Sequence, residues 1–305
     1  MRAAPQLDVI IVAYRSRELL RDCLLSVQRF APDVPTTVFV VDNGSRDGTV
    51  ELVENEFPEV RLIANSTNAG FSAANNEAIR SGTGTYVLAL NPDTRVAEGA
   101  LQRLVELMEE RPEVGIAGCR LELEDGSLDH AAKRSFPTPL SALGHFTRVG
   151  RHPRARGRIA AYRAPDVESG PVDAVNGAFM LMRREALEDV GLFDEGYWMY
   201  MEDLDLCYRF KQAGWLTWYE PGVTVVHVKA GTSGKLRRPK LNYAFHYGML
   251  RFYRKHYARD HNPVVNGVIY AGIAAKLLVS LARTATRRAV FPRRRTQPRL
   301  RIRQQ

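Results

Sequence analysis

The sequence predicts an open, mostly parallel and twisted α/β sheet that is flanked by helices and followed by a C-terminal helical extension. Two observations carry this prediction. Short apolar runs alternate with amphipathic segments of helical period throughout residues 7–117. Polar stretches rich in Asn, Asp and Gly follow several of these runs, where the carboxyl ends of parallel strands meet.

The elements follow this pattern in chain order. The run Asp-Val-Ile-Ile-Val within residues 7–13 is typical of a strand that is covered on both faces. Residues 18–30 place Leu20, Leu24 and Val27 on one side of a helix. Further strands are predicted at 37–41, 60–64, 86–90, 114–117, 173–182, 216–219 and 223–227, and further helices at 49–57, 72–80, 99–110, 184–190 and 240–257.

One long segment has no such pattern. Residues 133–171 are rich in Arg, Gly and Pro, which predicts an irregular excursion over the ligand crevice. We expect His130, His145 and His152 to be surface histidines. The three cysteines have no paired spacing, and the N-terminus shows no long apolar run, so we expect a reducing compartment and no signal peptide.

The net charge of +9 is concentrated at the C-terminus. Residues 261–305 carry +10, and residues 1–260 hold 33 basic and 34 acidic side chains. A basic tail after an apolar segment favours an anionic membrane surface as the partner, whereas a basic patch on a folded domain would indicate nucleic acid. We therefore expect no nucleic-acid partner.

Four polar segments follow predicted strands and should line one crevice. They are Ala13-Tyr14, Asp42-Asn43-Gly44-Ser45, Asn68-Ala69-Gly70-Phe71 and Asn91-Pro92-Asp93-Thr94. The glycines permit the close approach or positive φ that a turn against a ligand requires. The sequence lacks a Gly-x-Gly-x-x-Gly motif after the first strand and a Walker A motif, which argues against a nicotinamide, flavin or P-loop site.

An acidic stretch lies between an aromatic run and a helical pattern. Glu202 and Asp203 fall at a predicted helix N-terminus, where the helix dipole favours anionic side chains. Asp205 and Arg209 are four residues apart and are expected to pair on the helix surface. Tyr197, Trp198 and Tyr200 can give a sugar an apolar face or pack in the core, and the sequence leaves both interpretations open.

Together these segments resemble the family-2 inverting glycosyltransferases with the GT-A fold. The matching segments are residues 9–14, 41–49, 68–71, 91–94, 176–179 and 202–205, and His227. They occur in the family's order across residues 7–250. The chain is similar in particular to bacterial rhamnosyltransferases that extend cell-envelope glycans.

The resemblance implies a donor site and a metal. The donor is a dTDP- or UDP-linked sugar, with dTDP-rhamnose favoured. Its binding residues are Ala13, Tyr14, Asp42, Asn43, Gly44, Asn68, Gly70, Asn75, Asn91 and Asp93. Asp93 and His227 correspond to the metal ligands, for Mg²⁺ or Mn²⁺. Asn91 departs from the family, which often has aspartate there, so this site carries one negative charge fewer.

The resemblance also assigns the transfer chemistry. Asp203 is the expected general base for a single displacement, with Glu202 and Asp205 as supporting residues and Glu202 as the substitute candidate. Asn176, Gly177, Trp198 and Tyr200 are expected to bind the acceptor, a lipid-linked or other glycan. The implied division is a domain at 1–258, with a nucleotide-binding half at 1–118 and an acceptor-binding half at 119–258, followed by an apolar helix and Arg-rich tail at 259–305.

Two alternative functions remain. A sugar-1-phosphate nucleotidyltransferase is weakened because no glycine- and lysine-rich phosphate loop follows the first strand. A catalytically silent sugar-nucleotide-binding subunit is disfavoured because Asp93, Asp203 and His227 are all present.

The segment 264–282 predicts where the protein works. It is mostly apolar and approaches the length of a membrane span, but Lys276 interrupts it. An imperfectly amphipathic helix followed by arginines predicts a cytoplasmic protein held peripherally at the inner face of the cell membrane. The alternative is a helix that packs on the domain and precedes an Arg-rich end.

Overall fold

The computed structural model describes residues 4–137, 168–228 and 239–290. Its strands are β1 Leu7–Ala13, β2 Thr36–Asp42, β3 Arg61–Ala64, β4 Tyr86–Leu90, β5 Thr94–Val96, β6 Val114–Glu122, β7 Lys133–Arg134, β8 Gly170–Val172, β9 Ala174–Val175, β10 Phe179–Arg183 and β11 Leu216–His227. Its helices are α1 Arg17–Arg29, α2 Thr49–Glu56, α3 Phe71–Ser81, α4 Ala100–Glu110, α5 Arg184–Val190, α6 Glu202–Gln212, α7 Pro239–His256 and α8 Pro263–Val290, with a 3₁₀ turn at Ala258–Asp260.

The main sheet has the order β3-β2-β1-β4-β10-β6-β11-β5, and β8 also pairs with β11. Helices cover both of its faces, because α1, α2 and α4 pack in one apolar cluster and α3, α5, α6 and α7 in another. Ile10 and Ile11, neighbours in β1, are both buried and belong to different clusters. This explains why β1 is apolar without alternation, and it confirms the predicted α/β class with C-terminal helices.

The second half of the sheet contains antiparallel pairings that the sequence pattern does not reveal. Strands β3, β2, β1 and β4 pair in parallel, but β10 lies antiparallel between β4 and β6. Strands β5 and β8 run antiparallel to β11. Because β6 crosses the boundary predicted at residues 118 and 119, the two halves share one sheet. Their division remains a prediction about which substrate each half binds.

Three predicted segments differ in detail. The strands predicted at 216–219 and 223–227 form one strand, β11, whose register against β6 shifts between Glu220 and Thr224. Pro221 lies at this shift and cannot donate to the ladder. The segment predicted as one strand at 173–182 is divided between β9 and β10 by a turn. His130 is exposed, as predicted. Residues 138–167 of the predicted excursion, with His145 and His152, lie outside the described residues.

Asp205 is buried, contrary to the prediction of a pair on the helix surface. It does bind Arg209, with 2.9 Å from Nε to Oδ2. However, α7 covers this side of α6, and Lys255 Nζ and His256 Nε2 each lie 2.8 Å from Oδ1. Burial alone would raise the pKa of Asp205, but His256, Arg209 and Lys255 hold it well below its usual range. These contacts join α6 to α7, so the support that Asp205 gives is structural.

We expect Asp205→Asn to lower the free energy of unfolding by about 3 kcal/mol, because Arg209 and Lys255 lose a buried opposite charge and His256 loses a carboxylate partner. Glu195→Gln is the matched control, since Glu195 pairs with Arg80 at an exposed position and should contribute at most about 1 kcal/mol. Urea unfolding at neutral pH measures both changes.

Wild type and Asp205→Asn also test how the free energy of unfolding depends on pH. Because the pKa of Asp205 is lower in the folded state than the ordinary value of 3.8, its stabilisation is present above that value and is lost as the pH falls. The difference between wild type and Asp205→Asn should therefore narrow from about pH 5 to about pH 2. A difference that is constant over this range would contradict the assignment.

Candidate functional site

The strand-end segments meet at one edge of the sheet. Ala13 and Asp42 are register partners at the ends of β1 and β2, and Asn43 N donates to Ala13 O over 2.8 Å. Asp42 is buried, and its Oδ2 accepts a hydrogen bond of 2.9 Å from Ser45 N. Its Oδ1 has no hydrogen-bond partner within the described residues. With Tyr14 exposed beside it, Asp42 offers an acceptor to a ring N–H of a ligand.

Asn43 and Asn68 shape the loop that follows β3. Asn43 Nδ2 donates to Gly70 O over 3.0 Å, and Asn43 Oδ1 accepts from Ala69 N over 3.2 Å. Asn68 Oδ1 accepts from Gly70 N over 3.0 Å. Gly44 faces the same loop with φ +77°, and a Cβ there would lie 3.1 Å from the Thr67 backbone. The predicted residues are therefore brought together, and their amides fix the loop's conformation.

Asn75 is held by its own helix. It is buried in α3, where its amide donates to Phe71 O over 2.9 Å. Its predicted contact with the donor stays a prediction.

The Trp198 backbone lies directly against Gly70. Gly70 has φ +99°, and a Cβ there would lie 2.5 Å from Trp198 O, which accepts a hydrogen bond of 2.9 Å from Phe71 N. The indole is half-buried beneath Lys240, whose Nζ lies 3.8 Å from the ring centroid. Tyr197, in contrast, is a core residue that is 1 % exposed. Only a residue without a side chain fits at Gly70, so the segment that contains Trp198 packs directly on the loop at residues 68–71.

Asp203 lies at the N-terminus of α6 and is 7 % exposed. Its Oδ2 accepts hydrogen bonds from Arg134 Nη2 and, over 3.1 Å, from Gly177 N. Oδ1 accepts from Leu204 N over 2.8 Å. The preceding residues Tyr200 and Met201 have φ values of 71° and 74°, a left-handed conformation that is uncommon outside glycine and is found at functional sites.

Glu202 is a buried acid whose pKa is raised. It is 6 % exposed, and Oε2 has no hydrogen-bond partner within the described residues. Burial, together with the charge of Asp203, raises the pKa of Glu202 to about 8. At neutral pH Glu202 is therefore a neutral acid.

Asp93 and His227 approach each other at the opposite side of the crevice. The β5–β11 register pairs Thr94 with His227, which brings His227 Nε2 to 3.5 Å from Asp93 Oδ1. Asp129 Oδ2 lies 3.0 Å from His227 Nδ1. Burial would lower the pKa of His227, but its hydrogen bonds with Asp129 and Asp93 raise it to about 9.

One turn connects the two acidic sites. Between β9 and β10, Ala178 O accepts from Asn91 N over 2.9 Å, while Gly177 N donates to Asp203. Asn176 Oδ1 closes the turn by accepting from Ala178 N over 3.0 Å. Asn176 and Gly177 thus lie between the Asn91–Asp93 segment and Asp203.

Two residues of the site were not predicted. Arg134 contacts Asp203 from 69 positions away, and Asp129 contacts His227 from 98 positions away. Neither belongs to a recognisable spacing, and a sequence pattern offers no signal for them beyond the presence of isolated charges.

The arrangement agrees with the comparisons to known proteins. A rhamnosyltransferase of Mycobacterium tuberculosis, N-acetylglucosaminyl-diphospho-decaprenol L-rhamnosyltransferase, is 33 % identical over 254 residues, which cover 79 % of this chain and 81 % of that protein.

Two solved structures show the same fold. GalNAc-T7 with UDP, GalNAc and Mn²⁺ matches with a TM-score of 0.61 and 16 % identity, over 82 % of this chain and 48 % of that one. The mannosyltransferase PcManGT from Pyrobaculum calidifontis, in complex with GDP-Man and Mn²⁺, matches with a TM-score of 0.57 and 20 % identity, over 96 % of this chain and 77 % of that one. The predicted GT-A type is thereby confirmed.

The sequence model of Glycosyl transferase family 2 matches residues 8–191, which include β1 to β10. Enzymatic sugar transfer is the activity that this family shares with the relatives above. The chain belongs to glycosyl transferase family 2.

Proposed function

We propose that the protein transfers L-rhamnose from dTDP-rhamnose to a hydroxyl of a lipid-linked glycan acceptor during bacterial cell-envelope polysaccharide synthesis. The observation that carries this proposal is the 33 % identity to the mycobacterial rhamnosyltransferase, which extends over four fifths of both chains. The site residues support it, because Asp203, Asp93 and His227 all line the strand-end edge of the sheet. A nucleotidyl transfer has no comparable support.

Asp203 is the proposed general base. Arg134 and the Gly177 N–H orient its carboxylate, and the acceptor's hydroxyl proton passes to it as the oxygen attacks the anomeric carbon. The bond to the diphosphate breaks in the same displacement, so the anomeric centre inverts. Glu202 is the weaker candidate, since with a pKa of about 8 it already holds a proton at neutral pH.

Asp93 Oδ1 and His227 Nε2 would hold the divalent cation, Mg²⁺ or Mn²⁺. Their separation of 3.5 Å is close to the spacing of neighbouring ligands in an octahedral shell, about 3 Å. Asp129 Oδ2, 3.0 Å from Nδ1, would hold the His227 ring in the orientation that turns Nε2 toward the cation. When bound, the cation neutralises charge on the departing diphosphate.

The donor diphosphate would complete this cation's coordination. Within residues 4–137, 168–228 and 239–290, no three His, Cys, Asp or Glu side chains are grouped to hold a metal. Two protein ligands with substrate oxygens suit a hard divalent cation, and the imidazole favours Mn²⁺ over Mg²⁺. His227 would hold the cation through a deprotonated Nε2, so metal binding would require loss of the proton there.

The acceptor places the reaction at a membrane. A lipid-linked glycan lies at the bilayer surface, and we propose that the protein works at the cytoplasmic face as a peripheral protein. The nine arginines after Ala282 would contact anionic lipids. Trp198 and Tyr200 are the proposed aromatic contacts for the acceptor sugar.

Asp203→Asn should lower kcat at least about a hundredfold, because the base is lost. Binding of dTDP-rhamnose should persist, because the loop at residues 68–71, proposed to bind the donor, is unchanged. Glu202→Gln is the matched variant. It mimics the neutral acid, so it should lose less than about tenfold. Transfer kinetics and donor titration measure both, and equal losses in the two variants would remove Asp203 from the role.

Asp93→Ala and His227→Ala should each weaken dTDP or UDP binding in Mn²⁺, and the three proteins should bind equally weakly in excess chelator. Calorimetric titration with and without Mn²⁺ measures this. Asp125→Ala, at an exposed position, is the control. Full transfer activity in excess chelator would contradict the metal proposal.

Among nucleotide-sugars, dTDP-rhamnose should give the highest kcat/KM, with UDP-sugars second. Discrimination by one thymine methyl group is expected to be about tenfold to hundredfold, through an apolar contact near Tyr14 and Asp42. Nucleotide release across a donor panel, with a lipid-diphosphate-linked N-acetylglucosamine acceptor, measures it. Turnover of UDP-sugars alone would overturn the rhamnose assignment and leave the family assignment intact.

A further inference from the structure

The outward face of α8 is apolar from Pro263 to Ala282. Every exposed residue from Pro263 to Ala282 is apolar or glycine. The large ones are Val264 at 75 %, Val265 at 36 %, Val268 at 62 %, Leu278 at 67 % and Val279 at 51 % exposure. Twenty helical residues span about 30 Å, so this is a long stripe and not a scatter of single side chains.

Three polar residues of α8, Asn266, Tyr270 and Ser280, face the protein instead. Asn266 Oδ1 accepts from Tyr253 OH, and its Nδ2 donates to Ala258 O over 2.9 Å. Ser280 Oγ donates to Asn242 Oδ1 over 3.0 Å, and the Tyr270 ring packs edge-on against Tyr253. A surface helix of a water-exposed protein has the opposite orientation. In α8 the polar stripe holds the helix on α7, and the apolar stripe is presented outward.

Two tyrosines of α7, the helix on which α8 packs, are also exposed. Tyr243 and Tyr247 are 56 % and 40 % exposed and stack with centroids 6.0 Å apart. The Asn242–Ser280 contact places Tyr243 at the same end of the antiparallel helix pair as Leu278 and Val279. Tyrosines with an apolar ring and a polar tip are typical of membrane–water interfaces.

The charge of the chain indicates the occupant. No acidic residue follows Asp260, and nine arginines follow Ala282. A second copy of this chain would bring two such clusters together, whereas an anionic bilayer neutralises them. Pro263–Thr286 is long and apolar enough to cross a bilayer. Its hydrogen bonds to α7, however, hold it along the domain surface.

We propose that the outward face of α8, together with Tyr243 and Tyr247, docks in the headgroup–acyl boundary of an anionic membrane. We call this set the docking face. The helix lies parallel to the bilayer, and the apolar stripe, in addition to the arginine tail, provides the attachment. The inference deepens the proposed function, on which its link to a lipid-linked acceptor rests.

The docking face also orients the site. Lys240, in the first turn of α7, covers the Trp198 ring, and Phe245 packs against Tyr200 with centroids 5.9 Å apart. A Cβ at Gly248 would lie 2.9 Å from Tyr200 O, so α7 packs directly on the segment that leads to Asp203. Docking through α7 and α8 therefore brings the Trp198 side of the crevice near the headgroups, where an acceptor sugar lies.

Single labelled cysteines test the geometry on the full chain. Cys23, Cys119 and Cys207 are buried, so Val268→Cys and Leu278→Cys can be labelled selectively with an environment-sensitive fluorophore. Leu25→Cys on α1, at 43 % exposure, is the matched control. Vesicles of phosphatidylcholine with about 30 % phosphatidylglycerol should shift emission to the blue at 268 and 278 and leave it unchanged at 25. An emission shift that is the same at all three positions, or absent from all three, would overturn the proposal.

Spin-labelled lipids distinguish a helix α8 that lies in the membrane interface from one that spans the bilayer. Quenchers near the headgroup should reduce the fluorescence at 268 and 278 more than quenchers at the acyl-chain end. The reverse order means that α8 has left α7 and spans the bilayer, which would overturn the interfacial geometry.

Vesicle sedimentation separates the apolar stripe from the arginine tail. The double variant Val268→Ser with Leu278→Ser should lower the partition coefficient about tenfold, and part of the wild-type binding should persist at about 1 M salt. Leu25→Ser should bind as wild type. Binding that vanishes in high salt and ignores the double variant would assign attachment to the tail alone and overturn the proposal.

Analytical ultracentrifugation without vesicles tests a second copy as the occupant. The full chain should be monomeric. A dimer that the double variant dissociates would overturn the proposal. All of these experiments measure binding, so their results are independent of the transfer assay. A protein that docks on vesicles but transfers no sugar contradicts the proposed function alone. A protein that transfers sugar but does not dock contradicts this inference alone.

Discussion

The site depends on how the buried carboxylate of Asp203 is compensated. An ionised group removed from water requires hydrogen bonds and an opposite charge, and Asp203 obtains them from Gly177, Arg134 and the first turn of α6. These donors belong to three segments that are distant in sequence. The carboxylate therefore holds the β7–β9 ladder, the turn before β10 and the start of α6 in one arrangement, and β10 in turn joins β4 to β6.

A steric constraint fixes the loop at residues 68–71 against the segment that contains Trp198. Gly70 allows the Trp198 carbonyl to approach to a distance at which a Cβ would clash, and Phe71 N closes the contact. Because Trp198 lies five residues before Asp203, this contact packs the loop directly against the segment that leads to Asp203. The left-handed backbone of Tyr200 and Met201 turns the chain from Trp198 into α6.

Much of the fold could be predicted because its signals are local. Buried parallel strands such as β1 and β4 are continuous apolar runs, and the strand-end motifs follow directly. The antiparallel position of β10 could not be predicted, because Phe179–Arg183 is equally apolar in either direction. Asp205 was expected on a surface for a similar reason: Lys255 and His256, which bury it, lie about 50 residues away and leave no trace in the local pattern. Arg134 and Asp129 were missed on the same ground.

The adjacent carboxyl groups Glu202 and Asp203 illustrate what local pattern cannot provide. The sequence makes them equivalent, two acids at one helix N-terminus. The fold separates them, since Arg134 and Gly177 bind Asp203, whereas burial beside that charge raises the pKa of Glu202 to about 8. The charge of Asp203 next to it contributes to this rise, because a buried carboxyl group beside another one is harder to ionise. The proposal that Asp203 and not Glu202 is the base thus rests on the position of an arginine in another part of the chain.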